Sequence, residues 1–103
     1  MTSGPLNGSV LDSLYAVIDS RRGADPESSH TARLFHRGLD KIAQKVGEEA
    51  AEVLVAALAQ EDKRLVEEVA DLAYHTLVLL AARGLTPAAI SAELDRRHKP
   101  RQV

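Results

Sequence analysis

The chain has 103 residues, 13 Lys and Arg against 15 Asp and Glu, a formal net charge of −2 at pH 7, and no cysteine. Charge this close to neutral, with both signs interspersed, argues against a nucleic-acid or membrane-surface protein, and the lack of cysteine excludes a disulfide framework and thiolate chemistry. No apolar run approaches the roughly 20 residues that span a bilayer, and Met1-Thr2-Ser3-Gly4-Pro5 lacks the blocks of a signal peptide, so the cytoplasm is the simplest home.

Alanine and leucine dominate the apolar content, and Tyr15, Phe35 and Tyr74 are the only Phe or Tyr residues. That composition favours packed helices over a sheet. The expected fold class is all-α, a bundle of four to five helices in a single domain over residues 1–103, with 1–8 a loose start and 99–103 a tail. A domain this small is near the size where a partner helps to cover the core.

Ser9 can cap a first helix, with Asp12 as a weak capping-box partner. Val10, Leu11, Leu14, Val17 and Ile18 recur at helical spacing, and Arg21-Arg22-Gly23 reads as its end. Asp25-Pro26 marks a loop. A short helical piece follows from Ser29 to Arg37, anchored by Leu34 and Phe35, and Gly38 breaks or bends the chain. The longest helix is expected from about Leu39 to Gln60, with Leu39, Ile42, Val46, Val53 and Ala57 on one stripe and Glu49 at its edge. Glu61-Asp62-Lys63 is the break, with Asp62 as N-cap. The next helix runs to about Arg83 with Leu65, Val69, Leu72, Thr76 and Leu79 inward, and with Glu68, Asp71 and His75 along one edge. Gly84 reads as a C′ glycine, and Thr86-Pro87 as N-cap and N1 of a last helix carrying Ile90 and Leu94 and stopping at Pro100.

Two segments, 53–59 and 72–82, are apolar nearly all round, and a helix apolar on every side is buried on every side. A second copy of the chain, in a homodimer, is the simplest cover.

The short break between the two longest helices implies an antiparallel hairpin. Folding about Glu61 sets Glu52 level with Ala70 and Glu49 level with Ala73, so Glu52 lies within about one turn of both Glu68 and Asp71. If the acidic edges face each other, four carboxylates converge and repel. A hard divalent cation relieves this, and oxygen ligands suit Mg²⁺ or Mn²⁺. A lone Glu-Glu pair, by contrast, commonly decorates a solvated helix, as does Lys45 with Glu49 at i, i+4.

Glu48-Glu49-Ala50-Ala51-Glu52 and Glu68-Val69-Ala70-Asp71 resemble the paired acidic motif of the MazG-like, all-α nucleoside triphosphate pyrophosphohydrolases. Ser29-His30-Thr31-Ala32-Arg33-Leu34, Gly38-Leu39-Asp40-Lys41-Ile42, Lys45-Val46-Gly47, Asp71-Leu72-Ala73-Tyr74-His75 and Glu93-Leu94-Asp95-Arg96-Arg97-His98 narrow the likeness. They are similar to the phosphoribosyl-ATP pyrophosphohydrolases of histidine biosynthesis, over roughly residues 10 to 98. His30 stands where that family usually has Tyr. The resemblance implies hydrolysis of phosphoribosyl-ATP between its α- and β-phosphates, giving phosphoribosyl-AMP and pyrophosphate. Read with it, Glu49, Glu52, Glu68 and Asp71 are metal ligands, and Glu48 or an unliganded carboxylate oxygen orients the water. Arg33, Lys41 and Lys45 are candidates for the phosphates, since no Walker-type loop is present. His75 is a contact to the substrate or to the metal ligands.

Three rivals remain at this level. One is a house-cleaning pyrophosphatase acting on dNTPs. Another is a di-iron carboxylate bundle, disfavoured because neither acidic motif has His at the required offset. The last is a non-enzymatic helical interaction module.

Overall fold

A computed structural model describes residues 9–98, without the side chain of Ser9. The expected loose start, the Ser9 cap and the tail with Pro100 lie outside what is described. Five α-helices follow in order: α1 Ser9–Ser20, α2 His30–Arg37, α3 Leu39–Ala59, α4 Asp62–Ala82 and α5 Pro87–His98. No strand occurs among the described residues, in keeping with the Ala- and Leu-rich composition.

Local chemistry sets most boundaries. At α2 the Ser29 hydroxyl accepts from the Ala32 amide at 3.0 Å, an N-cap bond. Gly38 is at once the C-cap of α2 and the N-cap of α3, at φ 99° and ψ 172°, a region open essentially to glycine alone. The other end of α4 closes in a Schellman motif. The Leu85 amide donates to the Leu80 carbonyl at 2.8 Å and the Gly84 amide to Ala81 at 3.0 Å, with Gly84 at φ 74°. Between α3 and α4 the cap is Glu61, not Asp62, which is already the first helical residue.

α3 and α4 form the hairpin on which the rest is built. Its open end holds the core, where Ile18 of α1, Leu34 of α2, Ile42 of α3 and Leu77, Val78 and Ala81 of α4 pack together. Two long-range bonds fasten α1 there. The Arg22 guanidinium donates to the Ala81 carbonyl at 3.0 Å, and the Tyr15 hydroxyl to that of Leu85 at 2.5 Å.

The face of α4 that turns inward is not the expected one. Glu68, His75, Leu77, Val78 and Ala81 are buried, while Val69 is exposed and Leu65, Leu72, Thr76 and Leu79 are only half-buried. On α3 likewise Ile42, Glu49 and Ala56 are buried, while Leu39 and Ala57 are exposed. Both helices are rotated so that the acidic edges become the contact. Segment 72–82 also needs no second copy for its innermost residues, because α1 and α2 of the same chain cover Leu77, Val78 and Ala81. Segment 53–59 has no such cover, and Leu58 is 87% exposed.

Candidate active site

Towards the closed end of the hairpin the interior changes from hydrocarbon to carboxylate. Glu49 and Glu68 are only 7% and 4% exposed, one on each helix. Glu49, Glu68 and Asp71 each offer a carboxylate oxygen within 4.8 Å of the others. The pair Glu49/Asp71 is symmetric about residue 60, as the hairpin demands.

Glu52 falls outside that triplet and meets it through Glu68. With Val55, Gln60, Arg64 and Glu68 it lines a hollow of about 230 Å³. Burial pushes the Glu68 carboxyl above the usual carboxylate range; the Glu52 charge adds to this, Arg64 opposes it, and Asp71 adds a smaller push. One oxygen of Glu68 accepts a close bond from Arg64, whereas Oε1 is buried with no hydrogen-bond partner. An orphaned buried carboxylate oxygen is costly unless a cation or donor meets it. Around a Mg²⁺ with bonds of about 2.1 Å, ligand oxygens stand roughly 3 to 4 Å apart. The triplet is within a small side-chain adjustment of that spacing.

Cations border the cluster on the α3 side. Lys45 Nζ lies 3.4 Å from Glu49 and 3.7 Å from Glu48. Glu48 itself is exposed and lies outside the triplet; the Gln44 amide donates to it at 2.9 Å. That bond, then the charges of Lys45 and Lys41, hold its carboxyl below the ordinary value. Lys41 donates to Gln44 at 3.3 Å, and Arg33 to the Pro26 carbonyl at 3.4 Å, so neither touches the carboxylates.

His75 is 7% exposed, one turn beyond Asp71. Its Nδ1 lies 2.8 Å from the Asp71 carbonyl, which can only accept, so Nδ1 carries the proton. Nε2 is buried and unpartnered. The Tyr74 ring meets His75 edge-on with centroids 4.9 Å apart, and His30 lies nearly parallel to Tyr74 at 6.3 Å. Burial first, then the charges of Arg33, His75, Lys45 and Arg37, lower the His30 pKa below its ordinary value, which leaves the ring neutral at pH 7. A hydroxyl–hydroxyl bond between Thr31 and Tyr74 ties this ring cluster to α2.

Sequence reasoning missed Arg64, Thr31 and the role of Tyr74. Arg64 had a readable signal, since it precedes Glu67 and Glu68 by three and four residues on one helix. Thr31 and Tyr74 had none, because their contact crosses between elements.

Five helices, with two acidic motifs facing each other across an antiparallel hairpin, fit the MazG-like all-α architecture. Within that class the particular family is defined by sequence. The chain belongs to the phosphoribosyl-ATP pyrophosphohydrolase family, whose model matches residues 11–98. It is 50% identical over 97 residues to a phosphoribosyl-ATP pyrophosphatase of Azospirillum brasilense, covering 94% of this chain and 87% of that one. Proteins of the same name from Trichlorobacter lovleyi and Paramagnetospirillum magneticum are 56% and 57% identical. Those matches cover 88% and 85% of this chain, and 84% and 81% of the relatives.

Proposed function

We propose that this chain hydrolyses phosphoribosyl-ATP to phosphoribosyl-AMP and pyrophosphate, the second step of histidine biosynthesis, assisted by a divalent ion. The substrate is the one in the names of its family and relatives. The ion rests on one observation above all: Glu68 Oε1 is buried without a partner in a triplet of carboxylates. Glu49, Glu52, Glu68 and Asp71 would hold it, and a hard, all-oxygen donor set suits Mg²⁺ or Mn²⁺. Such an ion supplies charge neutralisation on the phosphates and a more acidic attacking water.

The chain's own groups supply the rest. Lys45, beside Glu49, has an ammonium with three donors and can meet a phosphate oxygen without leaving the carboxylate. Lys41 and Arg33 lie further out and serve as the outer cations. Glu48, exposed next to Lys45, or a free oxygen within the cluster, orients the water. His75, with Nδ1 held by the Asp71 carbonyl, leaves its buried Nε2 free for a contact to the substrate or to a water beside the metal ligands.

The test is pyrophosphate release from phosphoribosyl-ATP with and without EDTA, beside a dNTP panel. Metal-dependent turnover of phosphoribosyl-ATP is expected. Equal rates in EDTA would remove the ion. Turnover of a dNTP but not of phosphoribosyl-ATP would make it a house-cleaning pyrophosphatase.

The same reading includes a homodimer in the cytoplasm, with neither nucleic acid nor membrane as partner. Leu54, Val55 and Leu58 are exposed together on α3. Leu11, Val69, Leu72, Leu80, Ile90 and Leu94 line an apolar groove of about 430 Å³. Such patches favour a protein partner, and a second copy with two-fold symmetry is the simplest. No single helix among the described residues is long and apolar enough to cross a membrane.

A further inference from the structure

Arg64 lies in the first turn of α4, one turn before Glu68, at the wall of the hollow shared with Glu52. Its Nη1 donates to Glu67 at 2.6 Å, and its Nη2 donates to Oε2 of Glu68. The guanidinium thus bridges an exposed carboxylate and a buried one. Glu68 has two oxygens, and the fork engages only one of them. The other, Oε1, is the buried oxygen with no partner.

A glutamate carboxylate turns about a broad, roughly two-fold terminal torsion, so burial alone does not decide which oxygen faces where. A planar guanidinium fixed at both ends does decide it, because its fork holds one carboxylate oxygen in a set direction. We propose that Arg64 is a positioning residue, which clamps Glu68 through Oε2 and thereby presents Oε1 to a divalent cation held with Glu49 and Asp71. This rests on the reading that the acidic cluster holds such an ion.

Two effects of Arg64 on that ion oppose each other. Its positive charge repels a cation, while its bond orients a ligand. The guanidinium is half-exposed and already paired with two carboxylates, so solvent and those partners screen its charge. The orienting bond acts on a buried ligand, and losing such a partner typically costs about 10- to 100-fold in metal affinity. Orientation therefore outweighs repulsion.

The experiment is Mn²⁺ binding followed by the EPR signal of the free ion, on the full chain and on Arg64→Gln and Arg64→Lys. Melting in EDTA establishes that each variant is folded. Arg64→Gln is expected to bind Mn²⁺ about tenfold or more weakly. Arg64→Lys, with a point charge in place of the fork, should fall between. At saturating Mn²⁺ the turnover of Arg64→Gln should return to that of the unaltered chain, with KM for the nucleotide unchanged. Equal or tighter Mn²⁺ binding by Arg64→Gln would overturn the proposal while leaving the metal site standing. So would a raised nucleotide KM at saturating metal with unaltered Mn²⁺ affinity, which would make Arg64 a phosphate contact instead. No Mn²⁺ binding by the unaltered chain would remove the metal reading itself, and this proposal with it.

Discussion

Lys45 stands one helical turn before Glu49 and holds its ammonium 3.4 Å from that nearly buried carboxylate. The pair lies at the boundary between the acidic interior and the solvent face of α3, where Glu48 also reaches Lys45. On the proposed function, a cation so placed would serve two partners, the carboxylate beside it and a phosphate of the substrate. Lys45→Met removes both contacts while keeping the apolar stem. A hydrogen bond to a charged group is worth about 1.5–3 kcal/mol, so kcat/KM should drop by roughly 10- to 100-fold. The drop should be shared between a higher KM and a lower kcat, as initial rates over a range of phosphoribosyl-ATP would show.

Asp71→Asn and Glu52→Gln each keep the shape of the side chain and remove a charge. Turnover should fall by on the order of 10²-fold or more in either variant, the scale expected when metal-based stabilisation of the transition state is lost. Pyrophosphate release at saturating nucleotide measures it. Full activity of Asp71→Asn would contradict the shared cluster of Glu49, Glu68 and Asp71 as the seat of the chemistry.

The raised Glu68 carboxyl has a consequence for stability against pH. Burial and the Glu52 charge favour its protonated form in the folded chain. A group raised in this way gives stability that is fully present below its unfolded pKa and is lost as pH rises through the folded value. In EDTA the protein should therefore become more stable as pH falls through the range just above that of an ordinary carboxylate. Glu68→Gln should melt higher than the unaltered chain in EDTA at pH 7, and the gap should close towards acid. Adding Mg²⁺ should reverse the order at pH 7, because a carboxylate at this position binds the ion more tightly than a neutral amide. Thermal melts across pH, with and without the ion, read out both effects.

Ile42 and Leu58 sit on the same helix with opposite prospects. Ile42 is 1% exposed in the core and Leu58 is 87% exposed. Ile42→Ala should lower stability by about 2–5 kcal/mol in a denaturant titration, through lost burial and a cavity. Leu58→Asp should leave the fold intact yet shift sedimentation towards a single chain. An unchanged dimer would place the interface elsewhere, and a stable monomer of the unaltered protein would reject assembly.

What the sequence made legible was mostly local. The Gly84 turn, Pro87 at the start of α5 and a short link between the two long helices are written in neighbouring residues. A constant helical rise brought the two acidic motifs to within about a turn of each other, but set Glu49 level with Ala73; it clusters with Asp71 because the turn centres near residue 60, not at Glu61. The rotation of α4 did not follow, because two candidate faces ran along that helix and the more apolar one looked like the core. The face that won carries Glu68 and His75, which apolar counting sets at an edge. Arg64 was passed over for the same reason, since its bond to Glu68 gains meaning only once Glu68 is buried.

Gly38 ends α2 and begins α3 with no residue between them. There is room for a side chain at that position, so its demand is conformational alone. Any other residue would pay about 1–3 kcal/mol to hold that backbone. With no slack at the joint, the direction of α2 is tied to the helical phase of α3. Adding or deleting one residue between Gly38 and Lys45 would turn everything before it by about 100° around the helix axis. Thr31 would then leave Tyr74, and His30 would swing off the ring cluster beside His75. The spacing from His30 to Glu49 is therefore fixed in length, whereas residues 23–28, between the Arg22 anchor and the Ser29 cap, form a mostly exposed connection that can change length without moving the carboxylates.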